Sequence, residues 1–427
     1  MKARTLIASA AALAIAPALA VVTAPAAQAA PAACTASEAD VFAAPGSVSG
    51  GPGELLACRN VTLTQVPGNI PMRAVQVRYV STDLNGKKVP VTGTVAVPTA
   101  RWTGQGSRPT VAFNPGTLGI GRQCAFSKQL AGAYQDEYEG EQVAAFLKAG
   151  FAVAATDGMG YIEGLTHPYM IGANAGHSLL DIARASRQVP GGTLTADGKI
   201  AISGYSEGGA ASLWASQLAA SYAPELKVVG AAAGGVPGDL KLTAKQLNGG
   251  AFAGFLADAV VGLHEAYPTL PFDELVNDNG RSAVADTKKY CLYGTLARFL
   301  GARVESFTTK GYSLDQLYAL KDANGLSWGD AVEQQKLGVN IGRPGSGAKY
   351  QIGFPTYQYR GYFEEIIPHE TEEETRRLYC KAGITTQFNN SYPGEHLLTD
   401  SIAINDVTSW IGDRFAGKFT FGNCPLF

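Results

Sequence analysis

Beyond its first thirty residues the chain has no run of some twenty uninterrupted apolar residues, so nothing in the mature protein is expected to cross a membrane. It also lacks an excess of either charge. Taking Lys2 and Arg4 of the leader from the 34 basic residues leaves 32 against 36 acidic ones. That balance argues against a nucleic-acid or anionic-membrane partner. No C-x-x-C pair occurs and the cysteines are widely spaced, which makes a zinc site improbable. No metal or cofactor is expected, and the chain is read as a monomer. Histidine is scarce as well: there are five, so a search for a catalytic base has few places to look.

What is present begins with an export signal over residues 1–29. Lys2 and Arg4 precede an Ala/Leu/Ile stretch from Leu6 to Val22, too short and too rich in small residues for a good span, and Ala27-Gln28-Ala29 supplies an A-x-A cleavage pattern. A secreted, extracellular protein starting near Ala30 is expected. All six cysteines follow the leader, so in an oxidising compartment they read as three disulfides. Six cysteines allow fifteen pairings and the sequence does not choose among them. The expectation adopted is Cys34 with Cys58, Cys124 with Cys291 and Cys380 with Cys424.

Residues 30–70 are rich in Ala, Pro and Gly without periodicity and read as an extended N-terminal arm. Met72 to Ser81 and Val89 to Val97 alternate around Asn85-Gly86, predicting an antiparallel ribbon. Short apolar runs follow at Thr110–Phe113, Phe151–Thr156, Ile200–Ser203 and Val228–Ala233. Helical patterns at Glu139–Ala149, Leu179–Arg187 and Ala210–Tyr222 separate them. Strands alternating with helices imply an α/β, doubly wound, mostly parallel sheet, with its core at 71–235 and 350–427. From 236 to 349 the alternation gives way to helical stretches such as Ala251–Leu263 and Ala285–Leu300, so this segment reads as an inserted helical cap. Strand signals return at Gln351–Tyr359 and Ile384–Phe388, and Ile402–Phe415 reads as a closing helix.

The strongest signal is Gly204-Tyr205-Ser206-Glu207-Gly208, directly after an apolar strand and directly before a helix. A serine at so sharp a bend needs small residues two places away on either side, which Gly204 and Gly208 supply. Ser206 is therefore the candidate nucleophile. A weak alcohol nucleophile needs a base, and in this strand–turn–helix arrangement the chain order is nucleophile, acid, histidine. His167 and His177 come too early, His264 lies in the insertion and His369 follows a proline at an acidic helix start. His396 remains, expected in the loop Tyr392-Pro393-Gly394-Glu395 before the last helix. The acid is expected after the penultimate strand, where Glu364 or Glu365 could serve; Glu364 is favoured. The oxyanion donors are expected from the Glu207 amide and from Gly116 and Thr117 in Asn114-Pro115-Gly116-Thr117-Leu118-Gly119. The cap is expected to cover an acyl pocket.

With these residues in view the chain resembles the secretory lipase family. The likeness is carried by Asn114 to Thr117 with Cys124-Ala125-Phe126-Ser127, by Asp157-Gly158-Met159-Gly160-Tyr161, by His167-Pro168-Tyr169, by Gly204 to Gly209 and by Gly394-Glu395-His396. It implies an α/β-hydrolase with a large cap inserted after the strand that follows the nucleophile helix, acting on acylglycerols and simpler esters, with Ser206 and His396 as nucleophile and base. Where the family has aspartate before a proline in its G-x-x-D-E pattern, this chain has Glu364, an arm longer by one methylene. The reading is a secreted carboxylic-ester hydrolase, a lipase or esterase working through an acyl-enzyme on a small-molecule or lipid ester. A secreted serine peptidase of the same fold and a non-catalytic surface binder that kept the fold are the competing readings.

Overall fold

The computed structural model describes residues 31–44, 46–133 and 136–425; the expected export signal lies outside them. The described strands are β1 Leu55–Val61, β2 Met72–Thr82, β3 Lys88–Pro98, β4 Thr110–Asn114, β5 Ala152–Met159, β6 Lys199–Tyr205, β7 Lys227–Gly234, β8 Ile341–Gly342, β9 Tyr350–Gln351, β10 Thr356–Gly361 and β11 Thr386–Tyr392. Among the described residues nine of them form one sheet in the order β1-β2-β3-β5-β4-β6-β7-β10-β11, and β8 pairs with β9 apart from it. The three pairings among the first four strands of that order are antiparallel, and from β5 to β11 every pairing is parallel. The hairpin between β2 and β3 closes where the Asp83 carboxylate accepts the amides of Asn85 and Lys87, both at 2.9 Å, with Gly86 at φ +80°.

Apolar side chains fill both faces of the sheet. On one face Leu179 and Ile182 of the helix Gly172–Ser186 pack with Leu213 of the helix Glu207–Tyr222. On the other, Phe146 of the helix Gly140–Lys148 shares one apolar cluster with Val407 and Trp410 of the closing helix His396–Phe415. Strands covered on both sides, such as β4 and β5, are buried throughout, which is why they read as short continuous apolar runs. Each crossover carries the chain back to the same edge, so the C-terminal ends of β4, β6, β10 and β11 open onto one rim. That rim is where ligands sit in such sheets.

Four local readings need correction. Residues 31–70 are more than an arm, because they contain β1; its first four residues are all buried, so the alternation that marks a half-buried strand never shows in the sequence. The stretch Ala285–Leu300 is two helices, Asp278–Lys289 and Leu292–Arg298. They part where Cys291 is bonded to Cys124 and the Leu292 amide donates to Leu118 O at 3.0 Å, drawing the chain onto the sheet domain. The stretch Gln351–Tyr359 splits into β9 and β10 around Gly353 and Pro355, residues that weaken a strand. The closing helix starts at His396, not Ile402, because the Glu395 side chain caps it by accepting the amides of Leu397 and Leu398 at 2.8 and 3.0 Å. Cys34 is bonded to Cys58 and Cys380 to Cys424.

Candidate functional site

The bend between β6 and the helix that follows is as tight as its glycines suggest. Ser206 has φ +56° and ψ −118°, a conformation L-residues avoid, and it is held there by its amide donating to Gly234 O at 2.8 Å. A Cβ on Gly204 would lie 2.5 Å from Asn114 O, and one on Gly208 only 2.0 Å from it. Both positions therefore exclude side chains through backbone contact with the end of β4. The strained turn leaves Ser206 at the N-cap of a sixteen-residue helix, whose first amides favour negative charge.

β10 and β11 deliver the other two groups to the same rim. After Gly361 the chain turns so that the amides of Tyr362 and Phe363 donate to Tyr392 O and Gly394 O at 2.8 and 3.1 Å, which stitches the acid's loop to the histidine's loop. His396 Nδ1 then lies 2.8 Å from Glu364 Oε1 and 2.7 Å from Oε2. Glu364 Oε1 also accepts the amides of Ile366 and Ile367 at 3.0 and 2.9 Å. Glu365 takes a different position: its Oε2 accepts the backbone amide of His396 at 3.0 Å. Of the two glutamates left open by the sequence, Glu364 faces the ring and Glu365 holds the backbone.

Burial alone would discharge both members of this pair, yet each is shifted the other way. For His396, desolvation is outweighed by the charge and hydrogen bond of Glu364, helped by Glu365 and Glu395, so its pKa stands above the ordinary 6.5. For Glu364, desolvation is likewise outweighed by His396 and the two amides, and its pKa stands below 4.5. The second ring nitrogen, His396 Nε2, is buried and has no hydrogen-bond partner among the described residues. The ring lies against Tyr205, the chain neighbour of Ser206, with centroids 5.0 Å apart.

The loop after β4 departs from expectation at one residue. The Gly116 amide, read as an oxyanion donor, is already occupied: it donates to Glu139 Oε2 at 2.6 Å. Glu139 is fully buried, and desolvation, followed by the charge of the nearby Asp400, raises its pKa well above the ordinary carboxylate value. Thr117 is held through its side chain, with Oγ1 2.7 Å from the Tyr169 hydroxyl, while its amide makes no hydrogen bond within the described residues. The Glu207 amide is in the same condition at the start of the elbow helix. Thr117 and Glu207 thus keep free amides where Gly116 does not.

The sequence reading passed over a second buried histidine–carboxylate contact. His167 Nε2 is 2.7 Å from Glu207 Oε1, and its Nδ1 is 2.7 Å from Met159 O. The residue order that disqualified His167 as a base concealed its proximity. The motif His167-Pro168-Tyr169, quoted above for the family resemblance, was the available signal.

Residues 236–349 contribute no strand to the main sheet among the described residues. Their helices surround a cavity of about 140 Å³ with almost wholly apolar walls, including Leu256, Val260, Phe272, Val284 and Phe307, and Tyr169 of the sheet domain also lines it.

Comparison with known proteins gives a consistent picture. A family model described as Secretory lipase matches residues 126–423. Lipase 5 of Candida albicans is 30% identical over 291 residues, 66% of this chain and 58% of that protein. The chain thus spans less than two thirds of that relative's length. A Mycobacterium tuberculosis relative described as a probable inactive lipase is 27% identical over 376 residues, covering 86% of this chain and 79% of its own. The crystal structure of Candida antarctica lipase A in its closed state superposes with a TM-score of 0.73 at 23% identity, over 88% of this chain and 84% of that one. This last likeness extends the shared fold beyond the segment matched by sequence.

Proposed function

The chain belongs to the secretory lipase family, and from that premise we propose that it is an exported carboxylic-ester hydrolase, working as a monomer on lipid or smaller esters through Ser206, His396 and Glu364. The observation that carries the reading is the asymmetry of His396. Its Nδ1 is fixed by a carboxylate, and its Nε2 is left without a partner beside the residue that precedes Ser206. A proton on Nδ1, held by Glu364, leaves the lone pair on Nε2, the tautomer a base requires.

In the proposed cycle Ser206 Oγ attacks the ester carbonyl as His396 Nε2 takes its proton. The carbonyl π pair moves onto oxygen, and the amides of Glu207 and Thr117 receive that charge. The tetrahedral adduct collapses with cleavage of the C–O bond, and the imidazolium gives its proton to the departing alkoxide. Water then repeats the sequence on the acyl-enzyme and releases the acid. Glu364 stabilises the imidazolium at each step without becoming protonated. The cavity in the cap supports an acyl chain as the group accommodated, since its walls are almost wholly apolar. Among the described residues no helix is long and apolar enough to cross a membrane, and three disulfides fit an oxidising compartment.

The test is a panel of p-nitrophenyl esters of graded acyl length run beside Ser206→Ala and beside aminoacyl anilides. The variant is expected to lose about 10⁵-fold or more in kcat. Wild-type turnover in the variant would end the assignment, and anilide cleavage without ester cleavage would favour the peptidase reading. A folded wild-type protein that a fluorophosphonate fails to label at Ser206 would favour the non-catalytic one.

A further inference from the structure

We propose that the loop from Tyr161 to Tyr169 is the brace that sets both oxyanion donors, with His167 and Tyr169 as positioning residues; this rests on the reading above that the amides of Glu207 and Thr117 receive the oxyanion. Those two amides belong to different elements, the start of the elbow helix and the loop after β4. Neither amide is held in a regular hydrogen-bond ladder, so contacts beyond the pairing of β4 with β6 bear on the distance between them. One loop contacts both residues. His167 Nε2 meets the Glu207 carboxylate at 2.7 Å, and the Tyr169 hydroxyl meets Thr117 Oγ1 at 2.7 Å.

The loop is built to transmit position. His167 Nδ1 lies 2.7 Å from Met159 O, a carbonyl that only accepts, so Nδ1 carries a proton and Nε2 must meet Glu207 across a single hydrogen bond. The ring is stacked on Tyr161 with centroids 4.8 Å apart, and the Tyr161 hydroxyl donates to Gly119 O at 2.9 Å. The His167 amide donates to Ile120 O at 3.3 Å, a further tie to the loop that carries Thr117. Gly158, at φ +81°, leaves room for the ring; a Cβ there would lie 3.0 Å from His167 Cε1. Both nitrogens of His167 are engaged, so it has no lone pair to offer a substrate proton. It holds a side chain whose own backbone amide does the work, in a hole that functions only when both donors reach one oxygen at roughly 2.7–3.1 Å.

The test compares His167→Gln, Tyr169→Phe, Glu207→Gln and the double variant His167→Gln/Glu207→Gln. For each, kcat and KM on a p-nitrophenyl ester are expressed per fluorophosphonate-labelled serine, and affinity is measured for an alkyl boronic acid that forms a tetrahedral adduct on Ser206. Loss of donor placement is expected to lower kcat roughly 10- to 100-fold in His167→Gln and about 10-fold in Tyr169→Phe, with KM little changed. Boronate affinity should fall by the same factor as kcat. The double variant should be no worse than its more damaging parent, as expected of residues acting as one unit. If the variants lose only melting temperature and labelled fraction, while kcat per labelled serine and boronate affinity stay at wild-type values, the brace is merely structural and the proposal falls. Should His167→Gln fail to fold, Tyr169→Phe, which removes one hydroxyl, decides the matter on the same two readouts. A wild-type protein that neither turns over esters nor labels at Ser206 would instead sink the functional reading, and the brace with it.

Discussion

Two buried histidine–carboxylate pairs bear on the chain neighbours of Ser206, one on Tyr205 and one through Glu207, and their closest contacts are the same length. His396 meets Glu364 at 2.7 Å and His167 meets Glu207 at 2.7 Å. They differ at the other nitrogen. His167 donates its Nδ1 proton to a backbone carbonyl, whereas the free nitrogen of His396 has no partner among the described residues. A buried polar atom without a partner costs on the order of 1–3 kcal/mol. The difference teaches that proximity of imidazole and carboxylate does not identify a base. Between these two pairs, the spare lone pair makes the distinction.

The comparison is broken most severely by removing the charge behind His396. Glu364→Gln keeps the volume but offers an amide in place of the carboxylate, which disturbs the tautomer; kcat should fall by about 10³- to 10⁴-fold. The pH profile should move as well. Turnover needs the neutral ring, so wild-type activity is lost as pH falls through the His396 pKa, which stands above 6.5. Without Glu364 the desolvation of the ring dominates, and the acid limb of the residual kcat/KM should shift to lower pH. A limb that stays in place would show that Glu364 does not set the charge of His396. On the braced side, His167→Gln should reduce kcat and leave that limb where it is, which sharpens the contrast.

Glu364→Asp probes the extra methylene. Shortening the arm draws the carboxylate away from Nδ1 and from the amides of Ile366 and Ile367, so a loss of roughly 10- to 100-fold is expected, a misplacement effect with the charge retained. Equal or better turnover by the aspartate variant would mean that the loop readily adjusts to the shorter acid. A smaller effect, about 10-fold or less, is expected for Glu365→Gln, whose carboxylate supports the His396 backbone and not the ring.

How much of this was legible in the sequence follows from how local each determinant is. The elbow was readable because steric exclusion at Gly204 and Gly208 depends on residues two places from Ser206. Glu364 and His396 were readable through chain order, since both hang from consecutive parallel strands. The choice between Glu364 and Glu365 was not, because it depends on which way the chain turns after Gly361. Three contacts were beyond reach for a different reason. Glu139 takes the Gly116 amide from 23 residues away, His167 meets Glu207 across 40, and β1 joins a strand pair whose burial erased its alternation. The closing helix was predicted to start six residues late because glutamate is not among the favoured N-cap residues, so Glu395 gave no start signal.

The smallest predicted effect tests the boundary between the braced pair and the cap. Asp258, on the helix Ala253–Ala266 of the proposed cap, is wholly buried with neither carboxylate oxygen partnered among the described residues. Desolvation, and then the charge of Glu207, push its pKa well above the ordinary 3.8. The groups that sense it are Glu207 on the elbow helix and Tyr161 and Tyr169 on the bracing loop. A carboxyl whose folded pKa is raised binds its proton more tightly in the folded state. Its contribution to stability is therefore complete below 3.8 and declines as pH rises toward the folded value. Replacing it with leucine removes an uncompensated buried polar group and should raise stability at neutral pH by about 1 kcal/mol or more, measured by urea unfolding. The same variant should flatten the decline of stability between pH 4 and pH 7, a window that opens just above the onset set by the ordinary 3.8. Because the charge that acts on Asp258 is that of Glu207, in the braced pair, and not that of the histidine with the spare nitrogen, its removal should leave the acid limb of kcat/KM unmoved. A shift of that limb would mean that the two pairs share one titration, and their separation into brace and base would have to be abandoned.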